Sequence, residues 1–146
     1  MTIQRMDNVG IVVDDLEAAT AFFVELGMEK VGEVPVEGRW LDRLLGLQDV
    51  RVDIAMLATP DGHSRLELST YHSPPALRPE PEHPAPNTLG IRRLMFAVDD
   101  LDDVLARLSA HGAELLGQIE QYGDSYRLCY LRGPAGVIVA LAQQLG

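Results

Sequence analysis

A chain of 146 residues has the size of one ordinary globular domain, able to bury roughly 68–70% of the surface its unfolded form exposes. With 22 acidic side chains against 12 basic ones, the formal charge of -10 repels phosphate backbones and anionic bilayers, which argues against nucleic acid or a membrane surface as partner. Cys129 is the single cysteine, so no internal disulfide is available, no apolar run approaches the roughly 20 residues that span a bilayer, and the opening MTIQRMDNVG lacks a basic-then-apolar leader pattern. A reducing cytoplasm is the expected compartment.

Asn8 to Val13 is a short, β-branched apolar run that reads as a strand, and Asp14 stands where a helix N-cap belongs, opening a helix over 15–26. Leu16, Ala19, Phe22, Phe23 and Leu26 fall on one face of that helix, and Gly27 follows where a left-handed C-cap is expected. A strand over 28–36, a helical turn over 40–46 and strands over 51–57 and 65–69 complete the first half, with Thr59-Pro60-Asp61-Gly62 as the last hairpin turn. Pro74, Pro75, Pro79, Pro81, Pro84 and Pro86 then forbid helix and disfavour a central strand, so residues 71–88 read as an extended, semi-rigid linker that Tyr71, Leu77 and Leu89 can anchor.

The second half repeats the first. Val98-Asp99-Asp100-Leu101 reproduces Val13-Asp14-Asp15-Leu16, and Gly112, Glu114 and Gly117 return at the same offset as Gly27, Glu29 and Gly32. Leu101, Val104, Leu105 and Leu108 form the apolar helix face, strands are expected over 114–121, 126–131 and 137–142, and Gly133-Pro134-Ala135-Gly136 stands in for the earlier hairpin turn. The sequence therefore predicts one α+β domain over 1–146, an internal duplication of a βαβββ module: module one over 1–70, the linker over 71–88 and module two over 89–146.

Alternation of side chains along a strand sends Val9, Ile11 and Val13, and likewise Leu94, Phe96 and Val98, toward the helices, together with Leu66, Leu68, Val139 and Leu141. Asn8, Gly10 and Val12, then Arg93, Met95 and Ala97, with Glu67 and Ala140, take the opposite face. Two curved sheets side by side predict a cup whose lining includes Asn8, Glu67, Arg93 and Ala140, one residue from each of four related strands.

The stretch from Asp7 to Leu16 and the stretch from Arg93 to Asp100 resemble the opening strands of vicinal-oxygen-chelate modules, and Gly133 to Gly136 followed by Ala140-Leu141 resembles their closing hairpin. The resemblance, to the glyoxalase, bleomycin-resistance and dioxygenase proteins, covers the chain except its linker. It implies a curved, cup-like mixed sheet and pairing as a homodimer. In metal-using members the four strand positions carry His, Glu or Gln ligands for a divalent ion that polarises a carbonyl or holds vicinal oxygens. Here Glu67 keeps a ligand, Asn8 offers a weak carbonyl oxygen, Arg93 is a permanent cation and Ala140 has no donor. A catalytic metal takes about three protein ligands, so neither metal nor cofactor is expected, and a divalent ion would need a non-standard site. A guanidinium at 4 Å would also repel it by about 4 kcal/mol per unit charge pair at an effective dielectric of 20.

The resulting expectation is a metal-independent protein that binds or sequesters a small molecule, an aromatic ligand or antibiotic, with Arg93 supplying the positive charge that metal supplies in relatives and Glu67 as its counter-ion. A plain buried salt bridge in a vestigial site is the structural alternative. The functional alternative is a lyase, epimerase or dioxygenase-type enzyme with Glu67 as its catalytic base and Arg93, or a non-standard metal, as electrophile. A third reading has side chains filling the cup. Trp40 is a candidate aromatic lid, and Met56, Met95, Tyr122 and Tyr126 are candidates for a soft wall around an aromatic ligand, or else ordinary core. His63, His72, His83 and His111 show no ligand-like clustering, and Cys129 reads as a small buried hydrophobe.

Overall fold

A computed structural model describes residues 2–146. The chain divides into two compact units, one ending at Leu77 and the other beginning at Arg78. The first contains β1 (Val9–Val12), α1 (Leu16–Leu26), β2 (Glu29–Glu37), α2 (Arg39–Leu45), β3 (Arg51–Ala58) and β4 (Arg65–Ser73). Its sheet runs β1-β4-β3-β2, with β1 parallel to β4 and the other pairs antiparallel. The second unit contains β5 (Arg93–Val98), α3 (Leu101–Ser109), β6 (Glu114–Leu115), β7 (Glu120–Tyr122), β8 (Tyr126–Arg132) and β9 (Ile138–Gln144). Its sheet runs β5-β9-β8-β6, with β7 also on β8 and β5 parallel to β9. The wiring is the same in both units, so the α+β fold and the duplication appear in the hydrogen-bond ladders themselves.

Both helices start one residue later than the capping pattern suggests. Asp15, not Asp14, is the N-cap of α1: it has extended backbone, and its carboxylate accepts from the Ala18 N–H at 3.0 Å. Asp100 does the same for α3 from the Asp103 N–H at 3.1 Å, and Gln143 Oε1 accepts from the Leu101 N–H at 2.8 Å. As expected, α1 stops at Gly27, whose φ of 127° lets its N–H reach the carbonyls of Phe23 and Val24.

The apolar faces behave as the alternation requires. In the first unit Ala55, Leu57, Leu66 and Leu68 are buried with Phe22 and Phe23 of α1. In the second, Cys129, Leu131, Val139 and Leu141 are buried along with Leu101, Val104 and Leu108 of α3. Burial of each large side chain contributes roughly 1.5–3 kcal/mol, which makes these two clusters the main source of cohesion.

Two expectations need correction. β4 continues to Ser73, so the beginning of the expected linker is strand: Thr70, Tyr71 and Ser73 pair with Asp53, Val52 and Arg51 of β3, and Pro74, which lacks an N–H, follows the strand end. The single strand expected over 114–121 is instead β6 and β7, separated by a bend at Leu116 and Gly117. Glycine has no side chain to pack on the sheet, and the strand breaks there. No helix among the described residues is long and apolar enough to cross a membrane.

Candidate functional site

On the side of the first sheet away from α1, the register sets Gly10, Glu67, Met56 and Gly32 in one row across β1, β4, β3 and β2. The next row is Val12, Ser69, Ile54 and Val34, and beyond it Leu41 of α2 closes a small cluster with Val50 and Val52, against which Val36, Ile54 and Tyr71 pack. A Cβ on either Gly10 or Gly32 would meet nothing within 4 Å, so the row around Glu67 is open at both ends. Glu67 is half-buried and has no ion-pair partner among the described residues of its unit. Asn8 and Met56 border one cavity of about 510 Å³, together with His63, Arg65 and the Arg5–Asp7 ion pair at 2.8 Å.

The corresponding side of the second sheet is more heavily covered. Met95, Ala140 and Tyr130 form one row, and Arg93, Ile138 and Arg132 the next. Arg93 is exposed, with its guanidinium carbon 5.4 Å from the centre of the Tyr130 ring. Arg132 donates to the carbonyls of Pro84 at 2.6 Å and Gly136 at 3.0 Å, and Pro86 joins Leu116, Leu128 and Tyr130 around an apolar cavity of about 330 Å³. The linker therefore lies against this face. Ala140, expected to line an open hollow, has the predicted orientation but is fully buried, as is Ile138 beside it.

Of the residues singled out from sequence, the structure brings Asn8 together with Met56 in one cavity, and Glu67 stands directly across the ladder from Met56. Arg93 and Met95 lie on the face that also carries Tyr130. Tyr122 and Tyr126 are cross-strand partners at the far end of that face, both exposed. Trp40 is also exposed, on α2, with its indole over Gly38, and is not part of the wall that Asn8 and Met56 share. Tyr130, Arg132 and Arg65 are not among the residues the sequence singles out, and His63, which shows no ligand-like clustering in the sequence, borders the cavity beside Asn8. A signal existed for Tyr130: it lies between Cys129 and Leu131, both on the helix side, so alternation alone puts it on the opposite face.

The chemistry of the donor set decides what the face can hold. Among the described residues, no three of His, Cys, Asp or Glu come together as a metal site. His72 pairs with Asp53 at 2.8 Å, both exposed, and nothing third joins them. In the first unit Asn8 adds only a weak oxygen to Glu67, and in the second Arg93 and Ala140 hold a cation and a methyl group at the corresponding positions, so neither unit has the donors that fit a divalent ion. Cys129 is buried on the helix side of its sheet, and burial pushes its thiol pKa up.

Two βαβββ units of matching strand order define a class, and the sequence agrees: the family model of the Glyoxalase/Bleomycin resistance protein/Dioxygenase superfamily matches residues 5–141, and the chain belongs to that superfamily. It is similar to YaeR of Escherichia coli (strain K12), 27% identical over 145 residues covering 97% of this chain and 98% of that protein. A glyoxalase family protein from Bacillus cereus superposes with a TM-score of 0.95 at 48% identity, over 100% of this chain and 97% of that one. TnmS3, an antibiotic binding protein from Streptomyces sp. CB03234, shares the fold with a TM-score of 0.61 at 23% identity, over 99% of this chain and 98% of its own.

Proposed function

We propose that this protein binds and sequesters an aromatic small molecule, such as an antibiotic, without a metal ion. The observation that carries the reading is the donor set: of the four strand positions that hold metal in relatives, Glu67 alone has a strong ligand, while Met56 stands across the ladder from it in the first sheet and the second sheet by itself offers Met95, Tyr130 and a cation over an aromatic ring. The antibiotic-binding character of TnmS3 is consistent with this use of the fold. Titration of flat aromatic compounds into chelator-treated protein, followed by quenching of intrinsic fluorescence, tests it. Saturable binding at one site, weakened in Arg93→Ala, supports the reading, and binding that Arg93→Ala leaves untouched contradicts the role given to that arginine.

One observation favours a second reading, an enzyme of lyase, epimerase or dioxygenase type. Glu67 is a half-buried carboxylate without a counter-ion in its unit, on an open row, as a general base should be. Glu67→Gln separates the two: a binder keeps its ligand, whereas an enzyme keeps its substrate but loses turnover.

Pairing of two chains and a cytoplasmic location complete the proposal. Val12 and Val34 are about half exposed on the open sheet face, apolar surface that a second copy can cover. Sedimentation equilibrium reads the pairing directly.

A further inference from the structure

The geometry points to an anionic ligand: resting on the binding role just proposed, Arg92 and Arg93 together receive an oxyanion, a carboxylate or sulfonate, carried by an apolar body. Where the linker enters β5, the chain forms a shallow, solvent-open depression of about 570 Å³ bordered by Arg92, Arg93, Met95, Pro86, Leu89 and Ile91. No Asp or Glu is part of that wall, although the chain as a whole carries a formal charge of -10. Two guanidinium groups with no carboxylate between them, in so acidic a protein, leave positive charge uncompensated at one place.

The Nε of Arg92 is buried and makes no hydrogen bond among the described residues. A guanidinium that has lost part of its hydration without gaining an acceptor gains more from an arriving oxyanion than a fully solvated one does. Gly90 makes room for it: a Cβ there would stand 3.3 Å from an Arg92 terminal nitrogen, and its φ of 111° is one that other residues rarely adopt. Arg93 lies over Tyr130, which leaves its planar edge able to donate. The rest of the depression suits the other half of an amphiphilic molecule, since Leu89 and Ile91 are 95% and 84% exposed and Met95 is half exposed. The ligand class is therefore an aromatic or branched apolar carboxylate or sulfonate, rather than a neutral polycycle or a bare inorganic anion.

Two dyes of nearly equal shape test this: anilinonaphthalene sulfonate, which is anionic, and uncharged phenylnaphthylamine, each titrated by fluorescence into the full chain. The net charge works against the anion, so a preference for it has to come from a local site. The expected result is affinity for the sulfonate about tenfold or more above that for the neutral dye. Arg92→Met should remove that preference and Arg92→Lys restore part of it, with urea unfolding confirming that both variants fold. Equal affinity for the two dyes, unaltered in Arg92→Met, overturns the anion site and leaves the binding role standing. Failure of both dyes to bind at all overturns the anion site and the binding role together. Loss of chain pairing in Arg92→Met with unchanged dye affinity assigns the arginines to a protein partner and also overturns the inference.

Discussion

The guanidinium of Arg93 rests over the ring of Tyr130, 5.4 Å from its centre, with the two residues separated by β9 in the second sheet. An exposed contact of this kind contributes about 0.5–1 kcal/mol, too little for it to hold the fold together. Tyr130→Leu is therefore expected to lower unfolding free energy by no more than about 1 kcal/mol while weakening aromatic ligands about tenfold. Urea denaturation and fluorescence titration on the same preparation check both halves. A large loss of stability with unchanged affinity would make the contact structural.

Gly38 is fixed by two independent constraints. Its φ is 136°, and a Cβ would come within 2.9 Å of the Trp40 ring. Gly38→Ala should cost about 1–3 kcal/mol, and it should shift the emission of the sole tryptophan because the indole has to move. Unchanged emission would show that the backbone, not the ring, gives way.

The twin caps test the duplication energetically. Asp15→Ala and Asp100→Ala each remove a carboxylate that accepts a helix N–H, and each is expected to cost about 1 kcal/mol in urea unfolding. Asp99→Ala, one residue outside the cap, is expected to stay within about 0.5 kcal/mol of the parent. A cost at Asp99 matching that at Asp100 would move the cap back to where the sequence pattern put it.

Acid sensitivity follows from two carboxylates. Hydrogen bonds from Arg127 at 2.8 and 3.1 Å hold the Asp102 carboxyl below its usual pKa, and the Thr59 hydroxyl, followed by the His63 N–H, does the same for Asp61. A pKa lowered in the folded state stabilises the fold above the unfolded value, and that contribution is lost as pH falls through the folded value. The urea midpoint should decline as pH drops below the ordinary aspartate range near about 4, and Asp102→Asn should flatten part of that decline. An identical slope in the variant would remove Arg127 from the account.

The duplication, the strand faces and the glycine stop of α1 were legible because each follows from local rules: period, capping residue and a glycine at positive φ. The end of β4 was harder to read. Thr70 and Tyr71 favour strand, but the nearby prolines looked like the start of the linker, and pairing to Val52 and Asp53 across the sheet decided the matter. Tyr130 is legible from alternation, since it stands across the ladder from Ala140, the position where relatives keep a metal ligand. The linker's place on the second sheet was not accessible, because it depends on Arg132 reaching the Pro84 carbonyl, a contact between residues far apart in sequence. The same holds for Arg92, whose interest lies in the partner it lacks.

The claim that the open faces bind an organic ligand without metal is tested most directly by measuring ligand affinity with and without excess chelator, alongside elemental analysis of the purified protein. The account predicts unchanged affinity and no stoichiometric divalent ion. One ion per chain, lost in Glu67→Gln, together with ligand binding that chelator abolishes, would contradict it.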